Sequence, residues 1–243
     1  MRGPDEVLIF EGGEWVPSPS PDGPHTRFAE IRYFRSNLIG YLRIALCLAA
    51  GATIATSYPL LTAGMLLGAI LLDWVDGPVA RAYRECTVFG SGVDWLADVL
   101  AYVVILAWFV RLSPTWAPLI LAVTTIELVA CVFDFGTTAT GRYPRLGPQR
   151  GFRAILQWCM PGGSYTAFGS FLWLAYPVFA LAWCVDLAWS GQPGPVATTL
   201  DVLEWGLLAP AVLYAWCELA YVTFILDEWR EAPRDRPGQS PTR

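Results

Sequence analysis

Four aspartates, Asp73, Asp76, Asp94 and Asp98, border two strongly apolar runs in the stretch Leu71–Asp98. At 100° per residue, Asp73, Asp76, Gly77 and Ala80 occupy about a quarter of one helix's circumference. Gly90, Asp94 and Asp98, spaced by four, form a stripe on the next helix. Two acid-bearing faces with small neighbours, on consecutive antiparallel helices, can meet. Carboxylates crowded in a low dielectric repel one another or take up protons unless cations compensate them. Hard oxygen ligands of this kind suit Mg2+ or Mn2+, and a paired-metal site is the economical explanation.

The elements that carry these residues are read from composition. The chain has 243 residues, of which 55% are hydrophobic and only 15% charged. A soluble domain carries about a quarter charged residues, so this is the composition of an integral membrane protein. Apolar runs at 37–57, 59–80, 91–112, 115–136, 165–189 and 197–226 each suffice for a span. The expected fold is all-α, a bundle of six transmembrane helices preceded by an amphipathic juxtamembrane helix over Arg27–Ser36. Residues 1–25, rich in Pro, Gly and acid, read as a disordered cytoplasmic tail, residues 26–229 as the membrane domain, and 230–243 as a cytoplasmic tail.

All sixteen basic residues are arginine. They concentrate before the first span, after the second (Arg81, Arg84), after the fourth (Arg142, Arg145, Arg150, Arg153) and in the C-terminal tail. Only Arg111 falls in an opposite loop, so both termini and the turn between the second and third spans are expected in the cytoplasm. That basic face favours anionic lipid headgroups over nucleic acid.

The full pattern Asp73-Trp-Val-Asp76-Gly77-Pro-Val-Ala80-Arg81, then Gly90, Asp94 and Asp98, resembles at each of its eight fixed positions the signature of the CDP-alcohol phosphotransferase family. The lead-in "NLIGYLR" and the six-span layout are similar too. The resemblance implies transfer of a phosphatidyl or phosphoalcohol group from a CDP-linked donor to a hydroxyl, with release of CMP. It implies a two-metal site held by Asp73, Asp76 and Asp94, with Asp98 as general base that shares a metal. It further implies contacts to CDP-diacylglycerol from Asn37, Arg43, Gly77, Ala80, Arg81, Thr87 and Gly90. Arg81 can grip a phosphate with a two-pronged contact. A homodimer is implied as well, and the endoplasmic reticulum in a eukaryote.

The acceptor is expected to be a small polyol or amino alcohol. The start "SNLIGYLRIALCLAA" is similar to eukaryotic phosphatidylinositol synthases, which makes myo-inositol the first choice. Serine, glycerol 3-phosphate and inositol phosphate are the alternatives, because Glu127-Leu-Val-Ala130-Cys131-Val132 lacks the Ser and His of those synthases' fourth-span motif and Val99 stands where many relatives have a base. The arginines of the fourth loop could hold a phosphorylated acceptor, although enforcing topology suffices to explain them. A competing class is a transporter or non-catalytic scaffold that uses the intramembrane acids otherwise. Glu127, Asp134, Asp186, Asp201, Glu204 and Glu218 are expected to be interfacial or paired within the bundle. Six scattered cysteines read as small buried hydrophobes, the lone His25 lies in the tail, and the twelve tryptophans read as interface anchors.

Overall fold

A computed structural model describes residues 8–11, 14–17, 31–56, 58–83, 85–140, 149–160, 166–189 and 195–231. Its body is six long helices: α1 (Arg35–Thr53), α2 (Pro59–Tyr83), α3 (Val88–Leu112), α4 (Ala117–Thr140), α6 (Ala167–Trp189) and α7 (Pro195–Glu231). Between α4 and α6, a 3-10 turn (Gly151–Ile155) runs into the short α5 (Leu156–Cys159). Five of the helices are long and apolar enough to cross a membrane, and α4 is apolar over Ala117–Phe133. The expected all-α membrane bundle is the observed architecture.

Local chemistry sets the helix starts. Pro59 and Pro195 open α2 and α7, where a missing N–H costs nothing. Thr87 precedes α3 and its hydroxyl accepts from the Gly90 N–H at 3.0 Å. Thr166 does the same before α6, accepting from the Gly169 N–H at 3.0 Å. For α1 the partner is distant in sequence: the Arg35 N–H donates to Glu85 Oε2 at 2.8 Å and the Ser36 N–H to the same oxygen at 3.4 Å. A carboxylate at a helix N-terminus also meets the positive end of its dipole.

Helix α1 packs against α2 and α3, α6 against α7, and α4 between α3 and α7. The buried stripe of α1 runs Asn37, Gly40, Arg43, Cys47, Ala50, a three-to-four spacing that keeps one face on its neighbours. Small residues on these faces, among them Ala69, Ala97 and Ala101, let the backbones approach closely, as helices in lipid require. Gly40 shows how closely: a Cβ there would lie 2.6 Å from Val93 Cγ1 on α3. Two apolar cores result, one joining α1, α2, α3 and α6 and one joining α4, α5, α6 and α7.

One expectation needs correction. The N-terminal segment holds an antiparallel hairpin, β1 (Leu8–Glu11) with β2 (Glu14–Pro17), paired Leu8 to Pro17 and Glu11 to Glu14. Its physical reason is the short apolar runs Leu8–Phe10 and Trp15–Val16 around Gly12-Gly13, a strong hairpin signal within a stretch whose average composition is that of disorder. The amphipathic helix over Arg27–Ser36 lies partly outside the described residues. Ile31 is helical, a turn over Arg32 and Tyr33 follows, closed by the Phe34 N–H on the Ile31 carbonyl at 3.0 Å, and α1 starts at Arg35. Residues 232–243, in the expected C-terminal tail, also lie outside the described residues.

Candidate active site

Helices α1, α2 and α3 converge on the four aspartates. Asp73 and Asp76 are one helical turn apart on α2, and Asp94 and Asp98 one turn apart on α3. Oxygens of Asp73, Asp76 and Asp94 lie within 4.8 Å of one another. At their centre is Arg43 of α1, whose side chain is 2% exposed. Its Nη1 is 2.8 Å from Asp73 Oδ1 and 2.7 Å from Asp76 Oδ2, and also contacts Asp94, while Nη2 contacts Asp98. Nε donates to the Ala69 carbonyl at 3.1 Å, which fixes the plane of the fork.

One guanidinium offsets only one of four negative charges. Converging carboxylate oxygens that carry more charge than their protein partner can balance are the donor set a hard divalent cation takes. The residues therefore fit the metal that the spacing suggests. Arg43 itself departs from expectation. It is embedded in the carboxylate cluster and does not line the cavity that collects the other residues expected to touch the donor.

That cavity, of about 200 Å3, lies beside Asp76 and Asp94. Asn37, Gly77, Ala80, Arg81, Thr87 and Gly90 all line it. The Asn37 amide donates to the Ile31 carbonyl at 2.7 Å, which turns its Oδ1 toward Gly90. A Cβ on Gly90 would lie 2.8 Å from that oxygen and 3.2 Å from Thr87 Oγ1, so only glycine permits the α1–α3 approach here. The Arg81 guanidinium lies over Gly77, with Nη1 3.3 Å from where a Cβ would stand. Ser36 and Glu85 belong to this wall and were missed from sequence. The Ser36 hydroxyl is buried without a hydrogen-bond partner, a polar atom aimed at a site that a bound molecule could satisfy. Cys86 completes the rim, and burial pushes its thiol up against the opposing pull of Arg81.

A second cavity, of about 300 Å3, opens on the other side of the aspartates. Asp94 borders both cavities; Asp73 and Asp98 face the second. Its far wall comes from Glu127 on α4, Ser170 and Trp173 on α6, and Tyr214 and Glu218 on α7. Of the two expectations for Glu127 and Glu218, interfacial or paired within the bundle, the structure has the second: they are 2% and 3% exposed, Glu127 accepts from the Tyr214 hydroxyl, and both line a cavity shared with the aspartates. Their signal in the sequence was the acid within an apolar span, which is costly unless used. Among the arginines of the fourth loop, Arg153 turns away from this cavity. It donates to the Thr223 carbonyl at 2.9 Å and pairs with Asp227 on α7. Arg150 is exposed, and Arg142 and Arg145 lie outside the described residues. The described cysteines are all free thiols, four of them buried.

Comparison with known proteins agrees with this geometry. The family model for CDP-alcohol phosphatidyltransferase matches residues 34–185, more than half of the chain. The chain is also similar to a CDP-diacylglycerol–inositol 3-phosphatidyltransferase from Drosophila melanogaster, 37% identical over 109 residues, which are 44% of this chain and 46% of the relative. The match therefore spans less than half of that relative's length. No solved structure gives a significant match.

Proposed function

We infer that this chain, which belongs to the CDP-alcohol phosphatidyltransferase family, moves a phosphatidyl group from CDP-diacylglycerol to myo-inositol, yielding phosphatidylinositol and CMP. The observation that carries the reading is the placement of the four aspartates between two cavities, one lined by the motif residues and one by polar groups of α4, α6 and α7. The inositol relative supports the choice of acceptor.

In this reading the first cavity binds the cytidine diphosphate part of the donor. Arg81 pairs with a phosphate, Asn37 and Ser36 offer polar atoms, and Gly77, Ala80 and Gly90 let the nucleotide lie against helix backbone. The acceptor hydroxyl enters from the second cavity beside Asp98, whose carboxylate takes its proton as the oxygen attacks the phosphatidyl phosphorus. The new P–O bond forms as the bond to the CMP oxygen breaks. Asp73, Asp76, Asp94 and Asp98 would hold Mg2+ or Mn2+, which supplies charge stabilisation at the diphosphate. Arg43 holds the four carboxylates in register from behind.

In this reading both termini and the active site face the cytoplasm, which the distribution of arginines supports. The family resemblance supports a homodimer, and the membrane is the endoplasmic reticulum if the cell is eukaryotic. The test is incorporation of labelled inositol into lipid by the purified chain with CDP-diacylglycerol and Mn2+ or Mg2+. Labelled phosphatidylinositol in equal amount to CMP, lost with a chelator, is the expected outcome. Folded protein that binds metal yet makes no lipid would favour a scaffold or transporter instead.

A further inference from the structure

The second cavity has an electrostatic character that bears on which alcohols it admits. Five carboxylates line it, Asp73, Asp94, Asp98, Glu127 and Glu218, and no arginine does so among the described residues. Arg43, behind the aspartates, is committed to them, and Arg153 is held by Thr223 and Asp227. Glu127 and Glu218 stand outside the aspartate cluster, on α4 and α7, and are nearly fully buried. The Tyr214 hydroxyl donates to Glu127 Oε2 at 3.2 Å, which orients that carboxylate within the wall, and Tyr102 and Ser170 add further hydroxyls.

Such a wall is rich in hydrogen-bond acceptors and carries negative charge in a low dielectric. Asp73, Asp94 and Asp98 would be offset by the metal they hold, so Glu127 and Glu218 set the charge of the far wall. Hydroxyl hydrogens satisfy them, whereas a phosphate brought against them meets repulsion with no arginine of the described wall to offset it. The match to the family model ends at residue 185, so Tyr214 and Glu218 come from a helix beyond the matched region. The acceptor wall is therefore built partly by a segment that can differ while the aspartate motif stays the same.

We propose that Glu127 and Glu218 are the residues that select the acceptor, gripping the hydroxyls of an uncharged polyol and turning away alcohols that carry their own phosphate. The proposal rests on the phosphatidyl-transfer reading above. It predicts that a bare polyol is the substrate and that glycerol 3-phosphate and inositol phosphate are not.

The experiment uses the purified full chain with CDP-diacylglycerol and Mn2+, measuring CMP release with inositol, inositol phosphate and glycerol 3-phosphate at matched concentrations. Release with inositol and little with inositol phosphate or glycerol 3-phosphate is the expected result. Glu218→Gln and Glu127→Gln, which keep side-chain size but remove the charge, should each raise KM for inositol by about tenfold, the loss expected for a charged hydrogen bond. KM for CDP-diacylglycerol should stay within about twofold, because the donor cavity is on the other side of the aspartates. A phosphorylated acceptor used as well as inositol, or an unchanged inositol KM in both variants, overturns the selection proposal and leaves phosphatidyl transfer standing. Absence of CMP release with every acceptor overturns both. The acceptor panel on the unaltered chain decides the matter even if a glutamine variant fails to fold.

Discussion

At the residue scale, Arg43 is the part whose role was least legible in the sequence. A single arginine inside an apolar run can snorkel, pair or touch substrate, and only the convergence of α1, α2 and α3 shows it meeting four carboxylates. The four aspartates were legible because their i, i+3 and i, i+4 spacing is intrinsic to each helix. Removing the cation leaves buried charges uncompensated, so Arg43→Ala should lower stability by about 3 kcal/mol. Thermal unfolding in detergent checks this, and the variant should gain more from added Mn2+ than the parent does, since a ligand bound only by the folded state stabilises it by mass action. Gly90→Ala tests the other close approach. A methyl group 2.8 Å from Asn37 Oδ1 must push α1 or Asn37 aside, and KM for the CDP donor should rise while the inositol KM changes little.

At the element scale, the helices were readable from apolar run length, because a bilayer demands about 20 residues per span whatever the tertiary contacts. What holds them together was less readable. Glu85 lies in the turn after α2, yet its carboxylate receives the first N–H groups of α1, a partnership that no local pattern reveals. Glu85→Ala should cost about 1 kcal/mol, the usual loss for an N-terminal cap. Hydrogen exchange should quicken at the first turn of α1, where Ser36 and Asn37 face the donor cavity. The Glu127 and Glu218 wall escaped sequence reasoning for the same reason, since it forms only where α4 packs between α3 and α7. The hairpin of β1 and β2 escaped for the opposite one: its local signal was present, but outweighed by the composition of its surroundings.

At the scale of the whole molecule, the bundle opens two cavities beside one carboxylate cluster, and in the proposed function one takes the donor and the other the acceptor, so that the two substrates meet only there. The proposed orientation also predicts a sidedness. Cys86, at the rim of the donor cavity, should be alkylated from the cytoplasmic face of sealed vesicles and protected by a CDP donor. Because burial raises its thiol, little thiolate is present near neutrality, and the labelling rate should keep rising beyond about pH 9, where an ordinary cysteine levels off. Mass spectrometry of the Cys86 peptide gives both readouts. The most direct test of the account is CMP release by the parent chain and by Asp98→Asn, with CDP-diacylglycerol, inositol and Mn2+. The account predicts release by the parent and a loss of about a thousandfold in the variant, the scale of general-base catalysis, with the variant still folded. Undiminished release in Asp98→Asn, or none from a folded, metal-binding parent, would contradict it.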